Sequence, residues 1–330
     1  MKKTAPVEDN GSYGFYGRFK ESFPSQIVVD ATEYCNLACK HCAHPTFKKS
    51  AFYEGLHLLP ELNEKMVREC QGAGRGVVEY IRYASSGEVL LHPQALEMIE
   101  LAAVHSGTAV SVTTNGTLLT ESKSGRLVGA GVKIVDISLD AFSEDVYAKI
   151  RIKGDLKVTR RNVLDLIGLA RSAGAKTKVA VTFIEQDLNR VEVDAFQSFW
   201  KDQGADYVIV RRLHSNAGLN QETADKMRDA NKNLVRRPCL YPWERIVLNA
   251  RGCLSYCPAD WTHRGSFVDY RTTTIAETWK GEFYQRLRAA HLTSNYGEHE
   301  YCGQCPDWAA TRWPHEGRSF ADMVMEVKKS

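Results

Sequence analysis

The hydrophobic and polar positions over residues 26–213 alternate between short β-branched runs and longer amphipathic stretches. The runs predict strands at residues 27–30, 77–84, 109–113, 132–139, 178–183 and 207–210. The stretches between them predict helices at residues 61–71, 94–104, 122–129, 156–172 and 188–203. Strands that alternate with helices form a parallel sheet with right-handed crossovers. We therefore expect a parallel α/β domain over residues 26–214, with too few repeats for a closed eight-fold barrel.

The C-terminal third follows a different pattern. Residues 215–236 are polar and predict a linker, and residues 237–315 are rich in Cys, Trp and Pro with little periodicity. This second region predicts one hairpin, joining residues 245–248 to 254–256, and one helix over residues 274–292. We expect residues 1–25 to be an N-terminal extension and residues 316–330 a tail.

Polar residues follow the ends of the predicted strands, which is where a parallel barrel places its active site. The segments are 35–42, 85–88, 114–117, 138–140 and 211–214. Periodicity alone leaves open whether the sheet forms a partial barrel or a flat, doubly wound sheet.

Composition excludes several classes of protein. The net charge is only +3, with 43% hydrophobic and 25% charged residues, so no polybasic surface for nucleic acid or membranes is expected. No apolar run approaches a membrane span, and residues 6–11 interrupt what would be a signal peptide. We therefore expect a cytoplasmic protein that binds neither nucleic acid nor membranes.

The cysteines fall into two groups. Cys35, Cys39 and Cys42 have the spacing C-x3-C-x2-C, five more lie between residues 239 and 305, and Cys70 stands alone in a predicted helix as a core thiol. Three thiolates this close can ligate three irons of a cubane cluster and leave the fourth iron open for chemistry. The alternative is a zinc site completed by His41 or His44.

The segment CNLACKHC, residues 35–42, resembles the cluster-binding loop of radical S-adenosylmethionine (SAM) enzymes. This resemblance implies an open, partial (β/α)6 barrel with SAM bound to the open iron of a [4Fe–4S] cluster. The reduced cluster would cleave SAM to a 5′-deoxyadenosyl radical, which abstracts a hydrogen atom from the substrate. A reducing partner such as flavodoxin or ferredoxin would supply the electron.

The same resemblance assigns contacts to SAM. Gly87 and Glu88 resemble the Gly-Gly-Glu-Pro motif that receives the SAM ammonium group, although Ser86 and Val89 depart from it. The other implied contacts are His41 beside the adenine, Asn115 in a Thr-Asn-Gly turn, Ser138 and Asp140 near the ribose or carboxylate, and Arg151 or Lys153 at the carboxylate. Each of these residues could instead be an ordinary solvated loop or strand-end residue.

The second cysteine group resembles the SPASM/twitch extensions of this family. Cys239, Gly252 and Cys257 match the opening C-x(9–15)-G-x4-C, and Cys302 and Cys305 form a later C-x2-C. Since no cysteine follows residue 305, the resemblance implies one auxiliary [4Fe–4S] cluster held by these four cysteines. The alternative is a four-cysteine zinc module, which would make the chain a non-catalytic scaffold.

Two reactions are open to such an enzyme. In an oxidation, the substrate radical loses an electron to the auxiliary cluster and a proton to a general base, for which His214 or Glu185 is a candidate. In an epimerisation, a thiol returns a hydrogen atom, and Cys253 is the candidate donor. Cys253 could also be an inert thiol, or it could replace Cys257 as a ligand.

The substrate class is less readable from the chain. About twenty-five residues precede the first predicted strand, too few for a separate peptide-recognition domain. We therefore expect a polar small molecule of the sugar or aminocyclitol type, bound with the help of Arg211, Arg212 and His214. A peptide substrate is the alternative.

Overall fold

The computed structural model describes residues 19–310, which contain one nine-stranded sheet. The first six strands alternate with helices as the sequence predicts. They are β1 (Gln26–Val29), β2 (Tyr80–Tyr83), β3 (Ala109–Thr114), β4 (Ile134–Ser138), β5 (Lys178–Glu185) and β6 (Tyr207–Arg212). All neighbours among these six strands pair in parallel, and their order in the sheet follows their order in the chain. A doubly wound sheet would reverse its order at a switch point, so the partial (β/α)6 barrel is confirmed.

The short helix α1 (His44–Phe47) follows Cys42, and its Phe47 packs against Trp261 apart from the main core. Amphipathic helices cover the outer face of the sheet. They are α2 (Pro60–Gln71), α3 (Ala95–His105), α4 (Glu121–Gly129), α5 (Glu144–Ile150), α6 (Leu156–Ser172) and α7 (Val193–Asp202). Apolar side chains of the strands and helices form one continuous core between the two layers. The helix predicted over residues 188–203 begins later than expected, because a 3-10 turn, Arg190–Glu192, precedes α7.

The cysteine-rich region extends the same sheet. Strand β7 (Arg245–Leu248) pairs in parallel with β1, and β8 (Cys253–Ser255) and β9 (Ser266–Asp269) follow in antiparallel order. The predicted hairpin is therefore confirmed as β7 and β8. The expected extension lies within the described residues only from residue 19 onward, and the expected tail lies outside them.

One prediction for this region is wrong in detail, because the single helix expected over residues 274–292 is two helices. The segment expected as a linker contains α8 (Gln221–Asn231). The remaining helices are α9 (Tyr241–Glu244), α10 (Ile275–Lys280), α11 (Glu282–Thr293) and α12 (Glu300–Gln304). Gly281 separates α10 from α11 with an extended ψ of 163°, and it serves as the C-cap of one and the N-cap of the other.

The barrel interior has an apolar layer and, beside it, a charged one. Tyr80 and Ile134 belong to a small apolar cluster separate from the main core. Two residues further along the same strands lie Arg82 and Asp136, which point to the same side of the sheet and form an ion pair of 3.1 Å. Asp136 also accepts a hydrogen bond of 2.6 Å from Thr182. The carboxyl ends of the strands therefore stand above a polar, internally paired layer.

Candidate functional site

The first cysteine loop follows β1 and is fixed by the end of α5. The backbone N–H groups of Ala38 and Lys40 donate to the carbonyls of Ile152 and Ile150. Cys39 is buried, whereas Cys35 and Cys42 are partly exposed. Burial, together with the charge of neighbouring thiols, raises the pKa of Cys35 to about 11 and that of Cys42 to about 12. The loop thus holds three thiols close enough to influence one another's charge.

A buried ion pair, Arg151 with Asp140, contacts this loop at Cys39. Arg151 donates from Nη1 to Cys39 Sγ at 3.6 Å, and its Nη2 lies 2.5 Å from Asp140 Oδ2. Burial opposes the guanidinium charge, but Asp140 and Cys39 raise the pKa of Arg151. The positive charge therefore stands beside the thiolates, where it offsets the negative charge of a bound cluster. Arg151 Nε is buried without a hydrogen-bond partner in residues 19–310, so a donor remains for the predicted SAM carboxylate. Lys153, the alternative contact, is exposed.

Arg151→Met is expected to destabilise the fold by about 3–5 kcal/mol, because Asp140 would stay buried with an uncompensated charge. Arg190→Met is the matched control, since Arg190 pairs with Glu185 on the surface and should cost less than about 1 kcal/mol. Adding Asp140→Asn to Arg151→Met should recover part of the loss. Urea unfolding measures all three, and equal effects for the two arginines would contradict this role.

Asp140 also lies close to His41. The strand β4 ends at Ser138, and Asp140 adopts a φ of +63°, so the strand alternation expected for the pair does not reach Asp140. Asp140 accepts from the N–H of Ile184 at 2.7 Å, and its Oδ2 lies 3.4 Å from His41 Nε2. His41 is therefore not a solvated loop residue, since its side chain is only 10% exposed. Ser138 remains partly exposed at the strand end.

Gly87 and Glu88 join the end of β2 to the cysteine loop and to β3. A Cβ atom on Gly87 would lie 2.2 Å from the carbonyl oxygen of Thr32, so only glycine fits. Glu88 is 3% exposed and accepts hydrogen bonds from Thr114 Oγ1, Asn115 N and Leu90 N. These bonds leave one of four lone-pair positions on the carboxylate. The SAM contact expected of Glu88 stays a prediction.

A side-chain network that sequence reasoning missed links the motifs. Asn115 Nδ2 donates to Asn36 Oδ1 at 2.8 Å, and Asn36 Nδ2 donates to Thr117 Oγ1 at 2.8 Å. Asn36 lies inside the cysteine loop, and Asn115 belongs to the Thr-Asn-Gly turn after β3. No local signal reveals this pairing, because the partners stand 79 positions apart. Asn115 therefore supports the cysteine loop, and its contact with SAM stays a prediction.

The second cysteine group surrounds a cavity of about 260 Å³. Its walls include Cys239, Cys257, Cys302 and Cys305, together with aromatic side chains and residues from the barrel ends such as Ser85 and His214. Burial raises the pKa of Cys302 to about 12 and raises that of Cys257 and Cys305. Four thiols around one cavity are the donor set that a [4Fe–4S] cluster requires. In residues 19–310, no three His, Cys, Asp or Glu side chains are gathered closely enough for a single metal ion.

The two remaining cysteines lie apart from this cavity. Cys253 begins β8 beside Asp269, Arg251 and Arg271, and burial is the main cause that raises its pKa. The structure therefore places Cys257, and not Cys253, with the other cysteines of the group. Cys70 is buried in α2 at 3.9 Å from Met66 Sδ, as expected of a core thiol.

Direct contacts join the two cysteine groups. Trp261 borders the cavity and packs against Ala43 and Phe47, which follow the first cysteine loop. Ser85 has a φ of +120° and donates from Oγ to the carbonyl of Pro258 at 2.8 Å, directly after Cys257. The positions expected for the two clusters are therefore held in one packed unit.

The other polar residues at the strand ends differ in their surroundings. Glu185 pairs with Arg190 at 2.9 Å on the surface, whereas His214 borders the cavity. Arg211 lies 3.4 Å from Asp136 in the charged layer, and Arg212 is exposed. Of the two candidate bases, only His214 lies at the cavity. No helix among residues 19–310 is long and apolar enough to span a bilayer.

Comparison with known families accounts for both cysteine groups. The family described as "Radical SAM superfamily" matches residues 29–196, and the family described as "Iron-sulfur cluster-binding domain" (SPASM) matches residues 239–306. The two matches together support iron–sulfur clusters in place of the zinc sites that the sequence left open for the two cysteine groups.

Curated relatives resemble parts of the chain. Mycofactocin maturase MftC of Mycobacterium ulcerans is 27% identical over 224 residues, which are 67% of this chain and 54% of the relative. A GTP 3′,8-cyclase of Staphylococcus haemolyticus is 29% identical over 182 residues, 54% of this chain and 51% of the relative. The chain thus spans about half the length of these relatives.

Solved structures share the fold at low identity. BtrN in complex with AdoMet and 2-DOIA superimposes with a TM-score of 0.59 at 15% identity, covering 89% of this chain and 96% of BtrN. Streptococcus suis SuiB bound to precursor peptide SuiA gives a TM-score of 0.65 at 13% identity, covering 92% of this chain and 73% of SuiB. With a partial barrel, a SPASM region and these matches, the chain belongs to the radical SAM superfamily as a SPASM-type enzyme that uses SAM and [4Fe–4S] clusters.

Proposed function

We propose that this radical SAM enzyme oxidises a polar substrate in the space between its two cysteine groups. The observation that supports this is the position of the cavity of the four SPASM cysteines, which reaches Ser85 and His214 at the barrel end and so places the auxiliary cluster next to the barrel. In this proposal Cys35, Cys39 and Cys42 hold the first cluster. Cys239, Cys257, Cys302 and Cys305 hold the auxiliary cluster.

The cofactors and the chain divide the work. When bound, SAM and the clusters supply the 5′-deoxyadenosyl radical and an acceptor for one electron. Arg151 Nε would then donate to the SAM carboxylate, and Gly87 and Glu88 would receive the ammonium group. The remaining proposed contacts to SAM are His41, Asn115, Ser138 and Asp140. Tyr and Trp side chains among the cavity walls limit the access of water to the auxiliary site. A reducing partner such as flavodoxin or ferredoxin supplies the first electron.

His214 is the proposed general base. Desolvation at the cavity lowers the pKa of His214, although part of its side chain is exposed to solvent. Asp307 opposes this shift and Arg211 adds to it. The imidazole is therefore neutral at pH 7, with a lone pair available for the proton that an oxidised carbon centre must release. The position of Cys253 outside the cavity wall favours this oxidation over epimerisation by that thiol.

His214→Ala is expected to lower product formation about 10²-fold or more while 5′-deoxyadenosine still forms, because abstraction precedes proton loss. The measured quantity is the ratio of product to 5′-deoxyadenosine. Glu185→Ala is the matched control, since that carboxylate pairs with Arg190 on the surface and should leave the ratio unchanged. An unchanged ratio in His214→Ala would remove His214 from the mechanism.

The substrate class is proposed as a polar small molecule. Support comes from Arg211, Arg212 and His214 at the end of β6, and from the charged layer below the strand ends. A peptide is the second candidate, because SuiB, which shares the fold, was solved with a precursor peptide.

All nine cysteines are free thiols, which supports a cytoplasmic location.

An extract from cells grown in deuterium oxide can distinguish these substrates. The enzyme is incubated with the unlabelled cofactor, reductant and the deuterated extract, and deuterium in 5′-deoxyadenosine is measured. A small-molecule substrate should transfer deuterium from an extract pretreated with protease, whereas a peptide substrate should lose its signal. Cys39→Ala protein provides the background.

A further inference from the structure

His291 lies in the last turn of α11 and borders the cavity of the SPASM cysteines. His291 is only 2% exposed. A buried imidazole must satisfy two ring nitrogens, and each can be a donor or an acceptor in the neutral form. The hydrogen bonds around the ring decide which nitrogen carries the proton.

The Nδ1 atom of His291 is an acceptor. The backbone N–H of Cys239 donates to it at 3.2 Å, and a backbone N–H can only donate. The Tyr296 hydroxyl lies 3.3 Å from the same nitrogen, and its oxygen accepts from Arg236 Nε at 3.3 Å. A guanidinium also can only donate, so the phenol proton of Tyr296 points to Nδ1. The ring is therefore neutral and carries its proton on Nε2.

That Nε2–H group lacks a partner in the part of the chain that the structure describes. A buried donor without an acceptor costs about 1–3 kcal/mol, so native proteins rarely keep one. The cavity that His291 borders is also the place where four thiols converge. Cysteine and sulfide sulfurs of an iron–sulfur cluster accept hydrogen bonds, and such bonds help to set its potential.

We propose that His291 donates a hydrogen bond from Nε2 to a sulfur atom of the auxiliary cluster and raises its reduction potential. The inference rests on the proposed ligands Cys239, Cys257, Cys302 and Cys305. Reduction adds negative charge to the cluster, and an N–H donor stabilises the reduced form more than the oxidised form. His291 is thus a positioning and tuning residue that touches the cluster and not the substrate.

The same network reaches the other pair of cysteines. Arg236 donates from Nη1 to the carbonyl of Gly303 at 2.8 Å and from Nη2 to the carbonyl of Cys302. Its guanidinium stacks 4.4 Å from the centre of the Tyr296 ring. Arg236, Tyr296 and His291 therefore tie the backbone of the C-x2-C pair to the backbone of Cys239. These hydrogen bonds fix the position of the imidazole relative to Cys239 and to the pair Cys302 and Cys305.

Two substitutions test the roles of the two ring nitrogens of His291 separately. His291→Asn keeps an acceptor at the position of Nδ1 and removes the donor, whereas His291→Gln keeps a donor near the position of Nε2. His299→Asn is the matched control, because His299 is a buried histidine of the same region that does not border the cavity. All are made in the full chain with Cys35, Cys39 and Cys42 replaced by alanine, so that only the auxiliary cluster gives a signal.

The readout is the midpoint potential of the reconstituted cluster, followed by electron paramagnetic resonance. His291→Asn should lower the equilibrium constant of one-electron reduction about tenfold, or 59 mV, while His291→Gln recovers most of it and His299→Asn leaves it unchanged. Equal potentials in His291→Asn and the parent would overturn the inference while leaving the ligands intact. A parent chain that holds no iron would instead overturn the proposed ligand set, and the inference with it.

Discussion

Cys39→Ala is expected to abolish formation of 5′-deoxyadenosine and to lower the iron content of the reconstituted chain from about eight to about four per chain. Cys39 is the buried member of the first triplet, and its sulfur accepts the hydrogen bond from Arg151. Without it only two cysteines remain for the first cluster, too few to hold it. The four cysteines of the second group lie around a separate cavity and should keep their cluster.

Cys70→Ala is the matched control for this loss. Cys70 is also buried, but it lies in α2 against Met66 and belongs to neither cysteine group. It should retain about eight irons per chain and SAM cleavage, at a cost in stability only. Iron analysis with a chromatographic assay for 5′-deoxyadenosine decides between these outcomes. Loss of all iron in Cys39→Ala, or full SAM cleavage, would contradict the separation of the two sites.

Gly87→Ala is expected to destabilise the fold by about 3 kcal/mol and to abolish SAM binding. The added Cβ atom would lie 2.2 Å and 2.4 Å from the carbonyl oxygens of Thr32 and Tyr34, so backbone segments must separate. That movement breaks the hydrogen bond from Glu88 N to Tyr34 O, which ties the end of β2 to the cysteine loop. The expected result therefore combines a stability loss with a loss of function.

Gly129→Ala is the control for this substitution. Gly129 lies in α4, where an added Cβ meets no atom within 4 Å. Alanine is the better helix former by about 1 kcal/mol, so this variant should be as stable as the parent or more so. Urea unfolding and equilibrium binding of SAM to the reconstituted enzyme measure both effects. Tight SAM binding by Gly87→Ala would show that the close approach is not required.

The elements that sequence predicted best have local causes. The α6 helix begins and ends where periodicity placed it, because Asp155 caps its N-terminus and its apolar face is continuous. The break at Gly281 was missed, since α10 and α11 together look like one amphipathic stretch. The capping box of Thr274 and Glu277 explains the start of α10 but gives no sign of where it ends.

The parts of the site that sequence could not reveal depend on distant partners. The cysteine spacing identified both groups, yet the contact from Ser85 to Pro258 joins residues 173 positions apart. Asp140 looked like a strand-end residue, but its positive φ turns it into the buried partner of Arg151. His291 belongs to no motif, and only the three-dimensional arrangement brings it to Cys239. Chain folding, and not local pattern, creates these relationships.

Turnover of the substrate in deuterium oxide tests the central claim most directly. Oxidation predicts a product that lacks two hydrogen atoms of the substrate and carries no solvent deuterium on carbon. It also predicts that each turnover consumes one SAM. A product with the substrate's own composition, bearing one solvent deuterium at an inverted carbon, would contradict oxidation and show that a thiol returns a hydrogen atom.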